Sequence, residues 1–218
     1  LSSQLEQFRS RLEEFAAKHR HEIKKNADFR RQFQEMCASV GVDPLASGKG
    51  FWASRLGVGD FYYELGVQIV EICLATNHRN GGLITLDELY TKLMKSRNRS
   101  ARDEISRDDL LLAIDKLKLL GSGFRVIAPT TGSKNDYLIQ SIPGELNMDH
   151  TRVLQLAQES AYVSAPQIGS TFSWEPARCH QVVEHLVKEG LAWVDSQTDD
   201  DIPQYWFPAF FTAKLTAS

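Results

Sequence analysis

The sequence predicts a mainly α-helical fold with small β wings: an N-terminal helical arm followed by two tandem winged-helix domains. Helical periodicity fills the first part of the chain, two helix-then-hairpin patterns follow, and these patterns repeat at an offset of 69 residues. Three helices followed by a β-hairpin is the element order of a winged helix. We place the arm at 1–44, the first winged helix with a preceding aromatic segment at 45–145, and the second winged helix at 146–218.

The arm carries apolar residues at helical spacing, which predicts two amphipathic helices. The first stripe consists of Leu5, Phe8, Leu12 and Phe15, and the second of Phe29, Phe33, Met36, Cys37 and Val40. The first stripe suits packing against a partner helix as well as packing within its own domain. Both interpretations stay open on the sequence alone.

Basic residues outnumber acidic ones between and within these two helices. They are Lys18, Arg20, Lys24, Lys25, Arg30 and Arg31. A basic helical stretch can bind an anionic membrane surface. We favour the simpler interpretation that these residues form a solvated helical face.

A segment with Pro, Gly and many aromatic residues precedes the first winged helix. Its aromatic side chains are Phe51, Trp52, Phe61, Tyr62 and Tyr63. This number exceeds what a bare linker needs, so the segment is expected to pack. An apolar run over 63–77 then predicts a buried helix that ends at the NGG of 80–82.

Two more helices and a hairpin complete the first winged helix. Thr85 is the predicted N-cap of the first, with Glu88 as its capping-box partner. Ser106 is the predicted N-cap of the next helix, which ends at Gly121. Two short β-rich runs, FRVIAP and YLIQSIP, flank a polar turn and predict a hairpin.

The helix before the hairpin is the clearest part of the repeat. The segment ISRDDLLLAIDKLKLLG, residues 105–121, aligns without a gap with WEPARCHQVVEHLVKEG, residues 174–190. Their apolar positions coincide although few residues are identical, so burial is what repeats. The second unit is predicted to have helices at 147–162, 165–170 and 175–189, and a wing at 191–195 and 205–208.

The charge pattern argues against DNA binding. The chain carries a formal net charge of −3, and acidic residues match or outnumber basic ones on both predicted recognition helices. The second wing adds Asp195 and the acidic run 199–201. Because DNA affinity depends on neutralising phosphates, we expect no DNA partner. A winged-helix nucleic-acid-binding or transcription regulator remains the alternative function.

No pattern typical of catalysis, metal binding or cofactor binding is present. His180 and His185 are five residues apart, about 140° around a helix, so they do not form an i, i+4 ligand pair. The Gly-Lys-Gly of 48–50 lacks the spacing of a phosphate loop. We therefore expect no enzymatic activity, no metal and no cofactor.

The cysteines and the first residues favour an intracellular protein. Cys37, Cys73 and Cys179 are few, odd in number and far apart, which is typical of reduced core thiols. The chain opens on LSSQLEQFRS, which has neither an initiator Met nor the basic and apolar regions of a secretory signal.

Aromatic residues are concentrated near the end of the chain. They are Phe172, Trp174, Trp193, Tyr205, Trp206, Phe207, Phe210 and Phe211. A second winged helix of this size cannot easily bury all of them. We expect a protein-binding patch beside the acidic wing, and core packing is the alternative for any single residue.

Five segments resemble a known family. GVDPLASGKGFW, GVGDFYYELGVQIVEICL, HRNGGLITLDEL, ELNMDHTRVLQLA and EHLVKEGLAWVD are similar to the subunit family of the endosomal sorting complex ESCRT-II called Vps-twenty-two or EAP-thirty. The resemblance implies a non-enzymatic scaffold that sorts ubiquitinated membrane cargo into multivesicular bodies and links to ESCRT-III. It also implies a cytoplasmic protein recruited to endosomal membranes, with weak or indirect membrane contact.

The resemblance implies two protein partners. A GLUE-domain subunit would bind the first winged helix and its flanks, where we expect contacts from Phe51, Trp52, Phe61 and Tyr62. A small winged-helix subunit would bind the second winged helix through aromatic pockets that accept a Pro-Pro-x-aromatic motif. The residues expected there are Trp174, Trp193, Asp195, Trp206 and Phe207.

Overall fold

The computed structural model describes residues 2–39, 41, 58–97, 103–119, 123–129, 137–141, 146–198 and 201–215. These ranges contain ten helices and six strands. The chain divides into two compact units, Leu1–Gln68 with Lys95–Lys116, and Ile69–Met94 with Leu117–Ser218. Phe51 and Trp52 lie outside the described residues.

The first unit contains the helical arm. Its helices are α1 (Ser2–Lys18), α2 (Arg20–Lys25) and α3 (Ala27–Ser39), followed by the start of α4 (Val58–Asn80). The two predicted arm helices are confirmed as α1 and α3, and the basic stretch between them forms the short helix α2. Leu12, Ile23 and Phe33 face the interior, each exposing 3% or less.

The first winged helix follows the predicted order with one strand more. Its elements after α4 are β1 (Leu83–Thr85), α5 (Leu86–Ser96), α6 (Arg107–Leu119), β2 (Arg125–Ile127) and β3 (Leu138–Gln140). The hairpin β2–β3 is confirmed, and β1 pairs antiparallel with β3 on its other side. β1 was not predicted, because three residues are too few to show the alternation of a strand.

The helix caps of this domain are partly as predicted. Glu88 N donates to Thr85 Oγ1 at 3.1 Å, so Thr85 caps α5. Glu88 does not complete a capping box, because Oε1 lies 3.4 Å from Lys92 Nζ and Oε2 has no partner in the described part of the chain. Ser106 caps α6 reciprocally: Asp109 N donates to Ser106 Oγ, and Ser106 N donates to Asp109 Oδ2.

The second winged helix repeats the topology of the first. Its elements are α7 (Met148–Ser160), β4 (Tyr162–Ser164), α8 (Ala165–Phe172), α9 (Pro176–Lys188), β5 (Trp193–Asp195), β6 (Gln204–Trp206) and α10 (Pro208–Leu215). The sheets have corresponding orders, β1–β3–β2 and β4–β6–β5. The predicted repeat is therefore confirmed, while β4 and α10 were not predicted.

The second unit has a continuous apolar core. It combines residues of both sheets with α7, α8, α9 and α10, including Leu138, Val153, Val183 and Phe207. Cys73 and Cys179 are buried in this unit and Cys37 in the first, all as free thiols, as predicted. No helix in the described ranges is long and apolar enough to span a bilayer.

Candidate functional site

Three aromatic side chains form a row on the outer face of the second sheet. Trp206 lies directly opposite Trp193 on β5 and opposite Tyr162 on β4, and residues paired in this way point to the same face. We call Tyr162, Trp206 and Trp193 the aromatic row. The Trp206 ring centroid lies 4.5 Å from that of Tyr162 and 5.3 Å from that of Phe211. Trp193, at the edge, exposes 59% of its surface.

Asp195 lies on the same face as the aromatic row. It is two residues beyond Trp193 on β5, and alternate residues of a strand share a face. Its side chain is half-buried, and Oδ1 accepts the Gln197 N–H at 2.9 Å. A carboxylate held beside an exposed indole can pair with a cation while the ring supplies apolar contact.

The structure does not place Trp174 and Phe207 in this row. Phe207 is fully buried, and Trp174 exposes 9% of its surface. The Trp174 ring packs 5.0 Å from Phe172 and 4.3 Å from the guanidinium of Arg178. The structure therefore brings Trp193, Trp206 and Asp195 together, while Trp174 and Phe207 pack inside the domain. The assignment of all five to a partner stays a prediction.

A groove of about 330 Å³ begins at the aromatic row and was missed by the sequence analysis. Trp193, Pro208 and Phe211 form its apolar wall. Glu88 and Lys92 of α5 also line it. The helix α10 that supplies Pro208 and Phe211 follows the last predicted strand, and only its aromatic composition indicated that it packs.

Two of the residues expected to contact the GLUE-domain subunit are buried. Phe61 and Tyr62 expose 3% and 4% of their surfaces. Their neighbours Tyr63 and Val67, one turn apart on α4, expose 69% and 42%. The outward apolar surface of this part of α4 therefore belongs to Tyr63 and Val67.

A buried polar network fills the interior of the first unit. Arg30 Nε and Nη2 donate to the two carboxylate oxygens of Asp109 at 2.8 and 2.7 Å. The Tyr62 hydroxyl also donates to Asp109, at 2.7 Å. Arg30 further donates to the carbonyls of Ile23, Lys24 and Glu104, and its guanidinium lies 4.2 Å from the Phe61 ring centroid.

This network shifts the pKa of each member. Burial alone would raise the pKa of Asp109, but the hydrogen bonds and charge of Arg30 outweigh it and lower that pKa. Burial would lower the pKa of Arg30, and Asp109 reverses this effect. Burial and the Asp109 charge raise the pKa of Tyr62. Both ionic partners therefore remain charged inside the protein.

The burial of Arg30 corrects the prediction of a solvated basic face. Arg30 exposes none of its surface, whereas Arg20, Lys25 and Arg31 are exposed as predicted. The signal was available: Arg30, Phe33 and Cys37 recur at intervals of three and four and form the buried stripe of α3. Composition obscured it, since Arg30 is one of six basic residues in the stretch.

The described residues contain no group of three His, Cys, Asp or Glu side chains that could hold a metal ion. His180 lies on the surface, where Nδ1 is 2.8 Å from the Pro176 carbonyl oxygen. His185 stacks instead on His150.

Comparison with known proteins identifies relatives along nearly the whole chain. The EAP30/Vps36 family matches residues 1–196. Vacuolar-sorting protein SNF8 of Homo sapiens is 60% identical over 212 residues, which span 97% of this chain and 80% of that protein. Vacuolar protein sorting-associated protein 22 homolog 1 of Arabidopsis thaliana is 52% identical over 208 residues, 95% of this chain and 81% of that protein.

Solved structures agree with the sequence relatives. A chain in the structure of the ESCRT-II endosomal trafficking complex matches with a TM-score of 0.75 and 33% identity, over 97% of this chain and 93% of that chain. A chain in the crystal structure of endosomal complex ESCRT-II (VPS22/VPS25/VPS36) matches over the same shares with a TM-score of 0.70. These matches support the endosomal sorting interpretation and not the nucleic-acid-binding alternative. The tandem winged-helix architecture, the family match and the identity to SNF8 proteins together show that this chain belongs to the EAP30/Vps36 family.

Proposed function

We propose that this chain is the VPS22-type subunit of an ESCRT-II complex and acts as a non-enzymatic scaffold in endosomal sorting. The relatives are vacuolar-sorting proteins, and the matching chains belong to ESCRT-II structures that include VPS25 and VPS36. The chain thereby assembles with a GLUE-domain subunit and a small winged-helix subunit. It acts at endosomal membranes in sorting ubiquitinated cargo and connects to ESCRT-III.

The aromatic row, with Trp193 exposed at its edge, is the single observation in this chain that best supports the scaffold role. Exposed Trp and Tyr residues are frequent binding hot spots because they bury a large apolar area and lose little conformational freedom. We propose that Trp193, Trp206 and Asp195 form the surface for the small subunit. A Pro-rich extended segment fits such a surface, because its preformed backbone loses little entropy on binding. Phe207, fully buried, supports the surface from inside.

We propose a separate surface for the GLUE-domain subunit. Tyr63 and Val67 present contiguous apolar area on α4, and interfaces between permanent partners are large and apolar. Phe61 and Tyr62 act indirectly, because they pack beneath this face and join the Arg30–Asp109 network. The arm at 1–44 and the two winged helices at 45–145 and 146–218 are the modules that carry these surfaces.

Co-expression followed by mass measurement tests the proposed function. The chain is produced with the GLUE-domain subunit and the small winged-helix subunit and purified through a tag on this chain, and the mass of the complex is measured by light scattering. We expect one assembly that contains all three proteins. A chain that purifies alone and stays monomeric at micromolar concentration with both partners present would contradict the proposal.

DNA retention separates the proposed function from the nucleic-acid alternative. Elution from DNA or heparin in low salt is expected, because the net charge of −3 provides no attraction to a polyanion. The alternative would be favoured by strong retention, with a binding constant whose logarithm falls linearly with the logarithm of the salt concentration.

A further inference from the structure

A second and larger groove lies away from the aromatic row, within the second unit. Its volume is about 1130 Å³, above the roughly 300–1000 Å³ typical of pockets for small molecules. We call it the basic groove. Its charged and imidazole side chains are Lys118, Arg125, Asp149, His150, Arg178 and His185, and Phe124, Leu146 and Val182 add apolar surface. A groove of this size suits a segment of polypeptide.

The basic groove has the opposite charge to the chain as a whole. Lys118, Arg125 and Arg178 line it, and Asp149 is its one carboxylate within the described lining. Asp149 is already neutralised, because its two oxygens accept hydrogen bonds from Arg178 at 2.8 and 2.7 Å. Lys118 and Arg125 are both exposed, and Arg125 Nη1 also donates to the Leu146 carbonyl.

Two stacked imidazoles also line the groove. The ring centroids of His150 and His185 are 4.3 Å apart, with an interplanar angle of 16°. His150 Nδ1 accepts the N–H of Asn147 at 3.1 Å as part of the N-cap of α7. That bond places the proton of neutral His150 on Nε2. The N-terminal end of α7, which carries the positive end of its dipole, also lines the groove.

His185 supplies a second, independent observation. Its Nε2 is buried and has no hydrogen-bond partner in the described ranges. A buried polar nitrogen without a partner costs free energy, and such groups are rare in folded proteins. In the structure this nitrogen is out of contact with solvent. A carboxylate in the groove would accept a hydrogen bond from it, and remove that cost, only after the imidazole ring turns toward the groove.

We propose that the basic groove binds an extended acidic segment of a partner protein. Carboxylates of that segment lie against Lys118 and Arg125, and rotation of the His185 ring exposes Nε2 to one of them. Apolar residues between the carboxylates pack on Phe124 and Val182. This groove shares no lining residue with the groove at the aromatic row, so the acidic segment and the small subunit do not compete for the same residues.

Fluorescence anisotropy with a designed peptide tests the proposal on the full chain. The probe is a labelled octapeptide, Glu-Glu-Leu-Glu-Glu-Leu-Glu-Glu, and its Gln counterpart is the neutral control. We expect the acidic peptide to bind, its affinity to fall as salt is added, and the Gln peptide to bind at least about tenfold more weakly. Equal binding of the two peptides would overturn the proposal.

Charge-reversal variants locate the site. The double variant Lys118→Glu and Arg125→Glu is expected to weaken acidic-peptide binding at least about tenfold, since like charges then oppose the carboxylates. Gln181→Glu adds one repulsive charge on the α9 wall without removing a cation, so it tests the same idea if the double variant unfolds. Lys188→Glu, exposed on α9 outside the lining, is the control. Equal loss in the control and in Gln181→Glu would overturn the location.

Two further measurements define the ligand. His185→Phe retains a stacked ring and removes the unpartnered nitrogen, so we expect weaker peptide binding with thermal stability no lower than that of the wild type. Inorganic phosphate at millimolar concentration is then tested as a competitor. If phosphate displaces the peptide no more than chloride does at equal ionic strength, the displacement is charge screening. That result supports an acidic segment as the ligand. Specific displacement by phosphate would overturn the proposal in favour of a small-anion site.

Discussion

Arg30 and Asp109, 79 residues apart in sequence, form a buried ion pair with two hydrogen bonds of 2.8 and 2.7 Å. The pair joins α3 of the arm to the first turn of α6. Burial of two charges stabilises a fold only when every remaining donor and acceptor is satisfied. Here Tyr62, Ser106 and three backbone carbonyls complete the network.

Asp109→Asn should strongly destabilise the protein. The substitution leaves the buried guanidinium of Arg30 without its counter-charge, and removal of one partner from such a pair costs about 3–5 kcal/mol. Asp28→Asn is the matched control, because Asp28 pairs with Arg31 at 3.6 Å on the surface and exposed pairs contribute about 0–1 kcal/mol. Urea-induced unfolding measures both values. Equal losses of unfolding free energy in the two variants would show that the buried pair stabilises the protein no more than the exposed pair does.

Stability should depend on pH through the same carboxylate. Because the pKa of Asp109 is lowered in the folded state, its contribution is complete above the ordinary carboxyl pKa of about 3.9 and is lost as pH falls through the lowered folded value. The free-energy difference between wild type and Asp109→Asn should therefore shrink only below about pH 4. Unfolding free energies at neutral and acid pH test this expectation, and a difference that shrinks near pH 6 would contradict it.

The close approach of Gly81 to Gly190 provides a third prediction. Both residues have positive φ, +63° and +73°, but a Cβ at Gly81 would overlap the Gly190 carbonyl oxygen, whereas one at Gly190 meets nothing within 4 Å. Each Gly→Ala change costs about 1–2 kcal/mol for the left-handed backbone. Gly81→Ala should cost about 1–3 kcal/mol more, because backbone atoms must move. Equal melting temperatures for the two variants would show that the Gly81–Gly190 contact adds no cost to the substitution at Gly81.

Tyr63→Glu should separate folding from assembly. Tyr63 is 69% exposed, so a charge there leaves the isolated chain folded and places an unpaired carboxylate in the proposed interface with the GLUE-domain subunit. We expect unchanged thermal unfolding and loss of co-purification. Tyr63→Phe keeps the apolar area and should co-purify normally. Normal co-purification of Tyr63→Glu would move this interface elsewhere on the chain.

The sequence predicted those parts of the fold that have a local chemical signal. Thr85 and Ser106 cap helices as predicted, and the repeat of apolar positions in α6 and α9 indicated the two domains. The strands β1 and β4 escaped prediction because each has three residues and depends on pairing with distant strands. Hydrogen bonds across the fold, rather than propensity, define such strands.

The candidate surfaces were harder to predict from the sequence than the fold was. Aromatic composition indicated a patch in the second winged helix, but it could not distinguish exposed Trp193 from buried Phe207. That distinction depends on strand register, since a shift of one residue moves a side chain to the other face. The burial of Arg30 was missed because basic composition obscured its place in the apolar stripe of α3, and because its counter-charge, Asp109, is distant in sequence.

Calorimetric titration of the small winged-helix subunit into this chain measures whether the face that carries Trp193 and Asp195 is the binding surface. Trp193→Ala should weaken binding at least tenfold, about 1.4 kcal/mol, without a change in folding. Val194→Ala is the matched control, since Val194 is 49% exposed on the opposite face of the same strand, and it should bind like wild type. Asp195→Lys should weaken binding by about 2–5 kcal/mol if its carboxylate pairs with a buried cation of the partner. Wild-type affinity of both Trp193→Ala and Asp195→Lys would contradict the claim that this face of the second winged helix is the scaffold surface.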